Sequence, residues 1–251
     1  MQDLKGKVVL ITGASTGIGA ACARAFGALG SSVVVHYNSS RQEALDVAGA
    51  VEKSGGQAML VQGDVRDTAQ CERIVQQAVE RFGRIDVLIN NAGALVKRVP
   101  VAEVTDAIFD EVLYLNVRSM MMCTRFAVPH MGAGSSIINV TSVAARTGGG
   151  PGASLYAGSK GFVSTATHSL AKELVGQGIR VNAVAPGVIT TPFHDKFSTP
   201  AQLESMRQGI PMARLGTPDE CVGAFLYLAS EQLSGYVTGQ ILEVNGGQYM
   251  P

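Results

Sequence analysis

The sequence predicts an α/β protein built on a doubly wound, seven-stranded parallel sheet with helices on both faces. Three observations predict it. Short β-branched runs alternate with longer helical patterns along the whole chain, as expected for parallel strands joined by right-handed helical crossovers. The first of these runs is continuously apolar, as a strand covered on both faces must be. The chain has 251 residues, the size of one ordinary α/β domain, and no linker, repeat or low-complexity tail divides it. A single domain over 1–251 is expected.

The elements follow in order. Residues 7–12 (KVVLIT) read as the first strand and 17–29, rich in alanine, as the first helix. Residues 32–36 (SVVVH) form the second strand. Residues 41–53 form a helix with Ala44, Val47, Ala48 and Val51 on one face. Gly55 and Gly56 stop it, and 58–61 is the third strand. In the helix over 68–82, Ile74, Val75, Ala78 and Val79 recur at helical spacing; Gly83 ends it before the fourth strand, 86–89. A long helix is expected over 107–131, a strand over 136–140, a second long helix over 154–175 and a strand over 180–184. A helix over 218–229 and a strand over 240–244 close the pattern. Two stretches fit neither period. Residues 146–152 (RTGGGPG) read as a flexible loop. Residues 189–205, with Pro192 and Pro200, read as an irregular lid that extends to about residue 210.

Composition narrows the function classes. Twenty basic and twenty acidic residues cancel, so no electrostatic footprint for nucleic acid or an anionic membrane is present. No apolar run approaches the ~20 residues that span a bilayer, and the N-terminus lacks a signal-peptide pattern. The four cysteines (Cys22, Cys71, Cys123, Cys221) have no CxxC spacing, which suggests neither a metal site nor a redox dithiol. A reducing, cytoplasmic setting is the default expectation. Charged residues make up 16% of the chain, against ~25% in ordinary soluble domains, which points to a covered surface and a homo-oligomer.

In doubly wound sheets ligands bind beyond the carboxyl ends of the strands, and the chemically informative residues fall there. Thr12-Gly13-Ala14-Ser15-Thr16-Gly17-Ile18-Gly19 joins the first strand to the first helix. Glycines allow a tight turn and close backbone approach to a diphosphate, and the helix N-terminus supplies free N–H groups and partial positive charge. A glycine-rich turn has a plain structural reading too; its place between first strand and first helix favours the dinucleotide. An acidic residue at the end of the second strand would bond a ribose 2′-OH and repel a 2′-phosphate. That stretch, Tyr37-Asn38-Ser39-Ser40-Arg41, holds no Asp or Glu. Asn38, Ser39 and Arg41 are candidates for bonding a phosphate, so NADP(H) is favoured over NAD(H); the plain reading of Arg41 is the start of a solvated helix.

Tyr156 and Lys160 stand one helical turn apart and share a face. A phenol titrates near ~10, and a neighbouring cation is expected to lower that value toward the working range of an acid/base catalyst. Ser142, at a strand end, is placed to bond a substrate oxygen beside Tyr156, although a serine there is more often a turn residue.

Together these motifs resemble the short-chain dehydrogenases/reductases. TGASTGIG (12–19), Asp64-Val65, NNAG (90–93), Asn116, Ser142, YAGSK (156–160) and PGVITT (186–191) stand in that family's order and at its separations across essentially the whole chain. The resemblance implies a Rossmann-type fold and hydride transfer between a nicotinamide and a carbonyl or secondary alcohol. It implies that Gly13, Ser15, Thr16, Gly17, Ile18 and Gly19 hold the diphosphate, that Asp64 and Val65 contact the adenine, and that Asn91, Ala92 and Gly93 line the cofactor cleft. Pro186, Gly187, Ile189 and Thr191 would embrace the carboxamide. Lys160 would bond the nicotinamide ribose, Asn116 would kink its helix and hold a water in a proton relay, and Ser142 and Tyr156 would polarise the carbonyl. Thr16 stands where NADP-preferring members often carry a basic residue, which weighs against NADP.

Residues 210–216 and 239–250 resemble the 3-oxoacyl-[acyl-carrier-protein] reductases, but 131–136, where those carry basic residues, has no charge. A small sugar, polyol or ketone is therefore the expected substrate, with the carrier-protein reductase as alternative. A catalytically silent sensor or scaffold is an alternative of another class, against which the intact Tyr156 and Lys160 count. Ala144, Arg146, Leu155, Lys97, Arg98 and His194 are substrate-contact candidates beside Ser142; for the charged ones, solvated surface is an equal reading. The resemblance further implies a homotetramer, with the two long helices across one interface and the last strand across another.

Overall fold

In the computed structural model, which describes residues 1–251, the strands are β1 (Val8–Ile11), β2 (Ser32–Tyr37), β3 (Gln57–Gln62), β4 (Val87–Asn90), β5 (Ser136–Val140), β6 (Arg180–Pro186) and β7 (Ile241–Val244). All are parallel, in the order β3-β2-β1-β4-β5-β6-β7. The chain winds outward one way from β1 to β3, then returns to place β4 on β1's other side, so the switch point lies between β1 and β4. Ile11 aligns with Val35 of β2 and with Ile89 of β4, and Asn90 aligns with Asn139 of β5. The carboxyl ends of the central strands therefore form one level rim. β1, β2, β4, β5 and β6 are buried throughout, whereas the edge strands β3 and β7 are partly exposed and carry Gln57, Gln62 and Glu243.

The helices are α1 (Gly17–Ala28), α2 (Arg41–Lys53), α3 (Thr68–Phe82), α4 (Asp106–Leu113), α5 (Ser119–Ala127), α6 (Ala144–Thr147), α7 (Ser154–Leu174), α8 (Pro192–Phe197), α9 (Pro200–Gln208), α10 (Pro218–Ala229) and α11 (Glu231–Ser234). Alternate strand residues feed two cores. Val9, Ile11, Val33 and Val35 pack under α1, α2 and α10, while Leu10, Val34 and Leu88 pack under α3, α5 and α7. All four cysteines lie buried in helices as free thiols.

Three expectations need correction. The helix expected over 107–131 is not continuous. A π-helical turn, Tyr114–Arg118, separates α4 from α5, and a 3-10 turn with Pro129 ends the run. Asn116 accounts for the wide turn: its side-chain amide donates to the Val112 carbonyl at 3.0 Å and to the Ala94 carbonyl at 2.9 Å, diverting a helix carbonyl from its usual partner. The segment 189–205 is not irregular, because Pro192 and Pro200 each open a helix, α8 and α9. At a helix's first position the missing N–H of proline is no loss, and Thr199 adds a capping box with Gln202. The segment 146–152 begins inside α6 and loses helical form only from Gly148.

Buried polar side chains tie β4 and β5 to the helices beneath them. Asn90 Nδ2 donates to Thr124 Oγ1 at 3.0 Å and to Asn139 Oδ1 at 2.9 Å, and Asn139 Nδ2 donates to Thr167 Oγ1 at 3.0 Å. Asn139→Ala should therefore lower the stability of the protein by about 2 kcal/mol. The urea midpoint should fall with an unchanged slope; an unmoved midpoint would show that this chain of bonds carries no net stability.

Candidate active site

A cleft of about 690 Å³ opens on the rim formed by the strand ends. The β1–α1 turn forms its floor, and Gly13, Ser15, Thr16, Gly17 and Ile18 line it. Gly17 has φ 56, a conformation other residues rarely adopt. Gly19 lies behind the lining, where a Cβ would collide with the Gly13 carbonyl oxygen and lie 2.6 Å from Asn91 Nδ2. The first turn of α1 thus has bare backbone at its approach, which fits a diphosphate held on unspent N–H groups.

The turn is braced from both sides. Asn91 Nδ2 donates to the Thr12 and Gly13 carbonyls, each at 2.9 Å, while Thr12 Oγ1 accepts from the Asn91 and Ala92 N–H groups, each at 3.0 Å. On the other flank, Gly13 N–H donates to His36 Nδ1 at 2.9 Å, and His36 Nε2 lies 3.0 Å from the Gly63 carbonyl. Nδ1 must accept, so the ring proton sits on Nε2 and the imidazole is neutral. Burial holds its pKa below the ordinary 6.5. The sequence reading treated His36 only as the end of a strand; its one legible signal was a histidine in an otherwise apolar buried strand.

Beyond the ends of β2 and β3, Asn38, Ser39 and Ser40 line the cleft, with Asp64, Val65 and Arg66 opposite. Tyr37 is buried beside the rim and Arg41 is exposed at the start of α2; neither lines the cleft. The cation present is instead Arg66. Its Nε lies 3.0 Å from both Asp64 carboxylate oxygens and its Nη1 lies 3.0 Å from Glu111, and this guanidinium holds the Asp64 carboxyl below its usual range.

Tyr156, Lys160 and Ser142 meet at the centre of the cleft. Lys160 is buried; its Nζ donates to the Val140 carbonyl at 2.8 Å and lies 5.9 Å from the Tyr156 ring centroid. Burial lowers Lys160 to about 8. The expectation of a lowered Tyr156 is not met: burial raises the phenol's pKa, and a hydrogen bond with Ser142 offsets only part of this. Asn116 stands behind the cleft wall rather than in it, its side chain bonded to Val112 and Ala94. A Cβ on Gly93 would lie 2.7 Å from Asn116 Oδ1 and 3.0 Å from Lys160 Nζ, so only glycine lets the two side chains close on this strand end.

Pro186, Gly187, Ile189 and Thr191 line the wall above. Among the substrate candidates, Ala144, Arg98 and His194 line the cleft with Ser142, whereas Arg146, Leu155 and Lys97 do not. Arg146 turns away because it pairs with Glu243 at 3.2 Å and lies over the Tyr249 ring at 5.7 Å, pinning the C-terminal tail. Sequence reasoning missed Phe193, whose ring centroid is 5.6 Å from that of Tyr156, as well as Met206 and Gln248. The lid and tail that carry them have no periodic pattern pointing inward.

A family profile described as enoyl-(acyl carrier protein) reductase matches residues 13–248. A 3-oxoacyl-[acyl-carrier-protein] reductase of Synechocystis is 38% identical over 256 residues, all of both chains. The crystal structure of an NADH-dependent reductase, A1-R', complexed with NAD superposes with TM-score 0.90 at 40% identity, covering 100% of this chain and 99% of the other. A short-chain dehydrogenase from Burkholderia cenocepacia in complex with NADP gives TM-score 0.92 at 31% identity, covering 98% and 99%. The chain belongs to the short-chain dehydrogenase/reductase family. It is an oxidoreductase that works with a nicotinamide dinucleotide.

The neutral His36 has a measurable consequence. Its folded pKa lies below its unfolded one, so the unfolded chain takes up the proton first as pH falls. Stability should be unaffected by this group above about pH 7 and should decline below 6.5, its ordinary value, by at most ~1.4 kcal/mol per pH unit. His36→Phe should flatten this acid limb and weaken dinucleotide binding. Urea titrations at about pH 7.5 and about pH 5 check the slope; an equally steep limb in the variant would assign it to other groups, His194 among them.

Proposed function

We propose that the protein is an NAD(P)H-dependent reductase of small polar aldehydes and ketones, sugar-like carbonyl compounds included, with Tyr156 as its acid/base. The observation that carries this reading is the meeting of Tyr156, Lys160 and Ser142 at the cleft centre, beside the β1–α1 turn. Gly13, Ser15, Thr16, Gly17 and Ile18 would hold the diphosphate, Asp64 and Val65 the adenine, and Ile189 and Thr191 the carboxamide end. A nicotinamide dinucleotide bound there supplies or accepts the hydride.

The chain's own residues handle the proton. Ser142 Oγ–H bonds the carbonyl oxygen and fixes it beside the phenol. Tyr156 O–H donates its proton to that oxygen as negative charge gathers on it, and takes a proton from the alcohol in the reverse direction. Lys160 keeps its ammonium beside the phenol, where in a buried site the charge is weakly screened. With Lys160 at about 8, that charge is largely retained at neutral pH and is lost above it. Asn116, through its bonds to Val112 and Ala94, holds the strand-end loop against α4 and so positions Lys160.

NADP(H) is the favoured cofactor in this proposal. No carboxylate at the end of β2 opposes a 2′-phosphate, and Asn38, Ser39 and Ser40 offer it donors. Arg41 stands outside the cleft and Arg66 is committed to Asp64, so no free cation rewards the phosphate. The similarity to proteins that bind NAD and NADP agrees with use of both. A homotetramer accords with the apolar side chains that α4, α7 and β7 leave exposed: Phe109, Phe162 and Leu242.

The test is a screen of sugars, polyols, ketones and aldehydes with both cofactors, acetoacetyl-coenzyme A standing for the carrier-protein substrate. The kcat/KM values for NADPH and NADH should differ by less than about tenfold. Tyr156→Phe should lower kcat by about a thousandfold or more while dinucleotide binding persists. Full turnover in that variant would overturn the mechanism; binding without turnover of any substrate by the unaltered protein would favour a silent sensor.

A further inference from the structure

Beyond Tyr156, the substrate end of the cleft carries a cation with no acidic partner. Arg98, in the loop after β4, is half-buried and lines the cleft. Its Nε donates to the Phe197 carbonyl at 3.1 Å and its Nη1 to the Pro151 carbonyl at 3.2 Å. Arg98 takes part in none of the ion pairs of the protein, and its Nη2 makes no hydrogen bond to the chain. The one acidic residue that lines the cleft is Asp64, at the adenine end and paired there with Arg66. His194, on α8, lines the cleft with Arg98; its Nδ1 is engaged by Ser198 Oγ at 3.0 Å and its Nε2 is unbonded. Burial, and secondarily the charge of Arg98, keep this ring's pKa below its ordinary value.

A half-buried guanidinium bonded only to neutral carbonyls bears a desolvation cost that an anionic ligand would return. We infer that the substrate is a carbonyl compound bearing a carboxylate away from the reacting carbon, and that Arg98 binds that carboxylate. The inference rests on the reductase reading of the same cleft and names its substrate class. A planar carboxylate matches the guanidinium fork, and the unbonded Nη2 and the His194 ring are the donors on hand. One cation beside a neutral ring suits a single negative charge.

The same contacts couple recognition to closure. Arg98 links the end of α8, through Phe197, to the loop before α7, through Pro151. Phe193, also on α8, lies against Tyr156. A carboxylate on Arg98 would therefore be bound at the seam that holds α8 over the phenol.

The experiment compares 4-oxobutanoate with butanal, two aldehydes of equal chain length that differ in the terminal carboxylate. Each is assayed at the nicotinamide absorbance in the unaltered protein, Arg98→Gln and Arg98→Lys. In the unaltered protein kcat/KM should favour 4-oxobutanoate at least tenfold. Arg98→Gln should bring the ratio close to one, chiefly through KM for the acid, and Arg98→Lys should restore part of it. Comparing two substrates in one protein cancels any loss of folded enzyme. A ratio near one in the unaltered protein overturns the inference. So does an equal loss for both aldehydes in Arg98→Gln, which would make Arg98 a tie for α8 and nothing more. If the unaltered protein reduces neither aldehyde nor any other carbonyl of the screen, the reductase reading itself fails.

Discussion

The geometry of the cleft depends on the bracing of the β1–α1 turn. A glycine-rich turn is free to take many shapes, and it can present N–H groups to a diphosphate only if something else fixes it. Here the neighbours on both sides do so: His36 accepts from Gly13 across β2, and Asn91 donates to the Thr12 and Gly13 carbonyls across β4. These contacts require level strand ends, which the parallel register of β1 with β2 and β4 supplies. Gly19 completes the arrangement, since a side chain there would enter the space Asn91 occupies. Even the upper wall takes its position from this turn, because Thr191 lies next to Gly17.

Burial then sets the electrostatics on which the chemistry draws. It acts on Tyr156 and Lys160 together, raising the phenol and lowering the ammonium, because both charged forms are costly away from water. The same low dielectric makes each charge worth more to the other than it would be in solvent. A neighbouring cation is therefore only half of the account of a catalytic tyrosine: the sequence spacing shows the cation, and the structure shows the desolvation it must overcome.

What the sequence made legible follows from the same physics. The seven strands were readable because each alternates with a helix and most are covered on both faces, which leaves a continuous apolar run such as that of β1. The turn and the Tyr156–Lys160 pair were readable because their chemistry depends on local spacing. The π turn was legible only through the family resemblance, which implied a kink at Asn116; local pattern misses it because Asn116 widens the helix by bonding Val112 and Ala94, and Ala94 comes from a distant loop. The stretch around Pro192 and Pro200 was read as an irregular lid, although proline, which stops a helix in its interior, opens one at its first position. Arg146 was misplaced because its partners, Glu243 and Tyr249, are about a hundred residues away. Local pattern reveals whatever is decided locally; tertiary partners decide the rest.

The same division explains why reaction class and substrate differ in legibility. The groups proposed to handle the proton lie just after β5 and on α7, elements tied to each other and to β4 by the buried bonds of Asn139 to Thr167 and Asn90. The wall proposed to meet the substrate is assembled from the loop after β4, the loop before α7, α8, α9 and the C-terminal tail, none of which pairs into the sheet. Side chains on such segments converge only through contacts between segments, as Arg98 does in bonding Phe197 and Pro151. A fold that fixes its chemistry in the sheet and its selectivity in the loops can change substrates without disturbing the proton donor. On the role proposed for Arg98, the charge carried by those loop segments sets which substrates the cleft accepts.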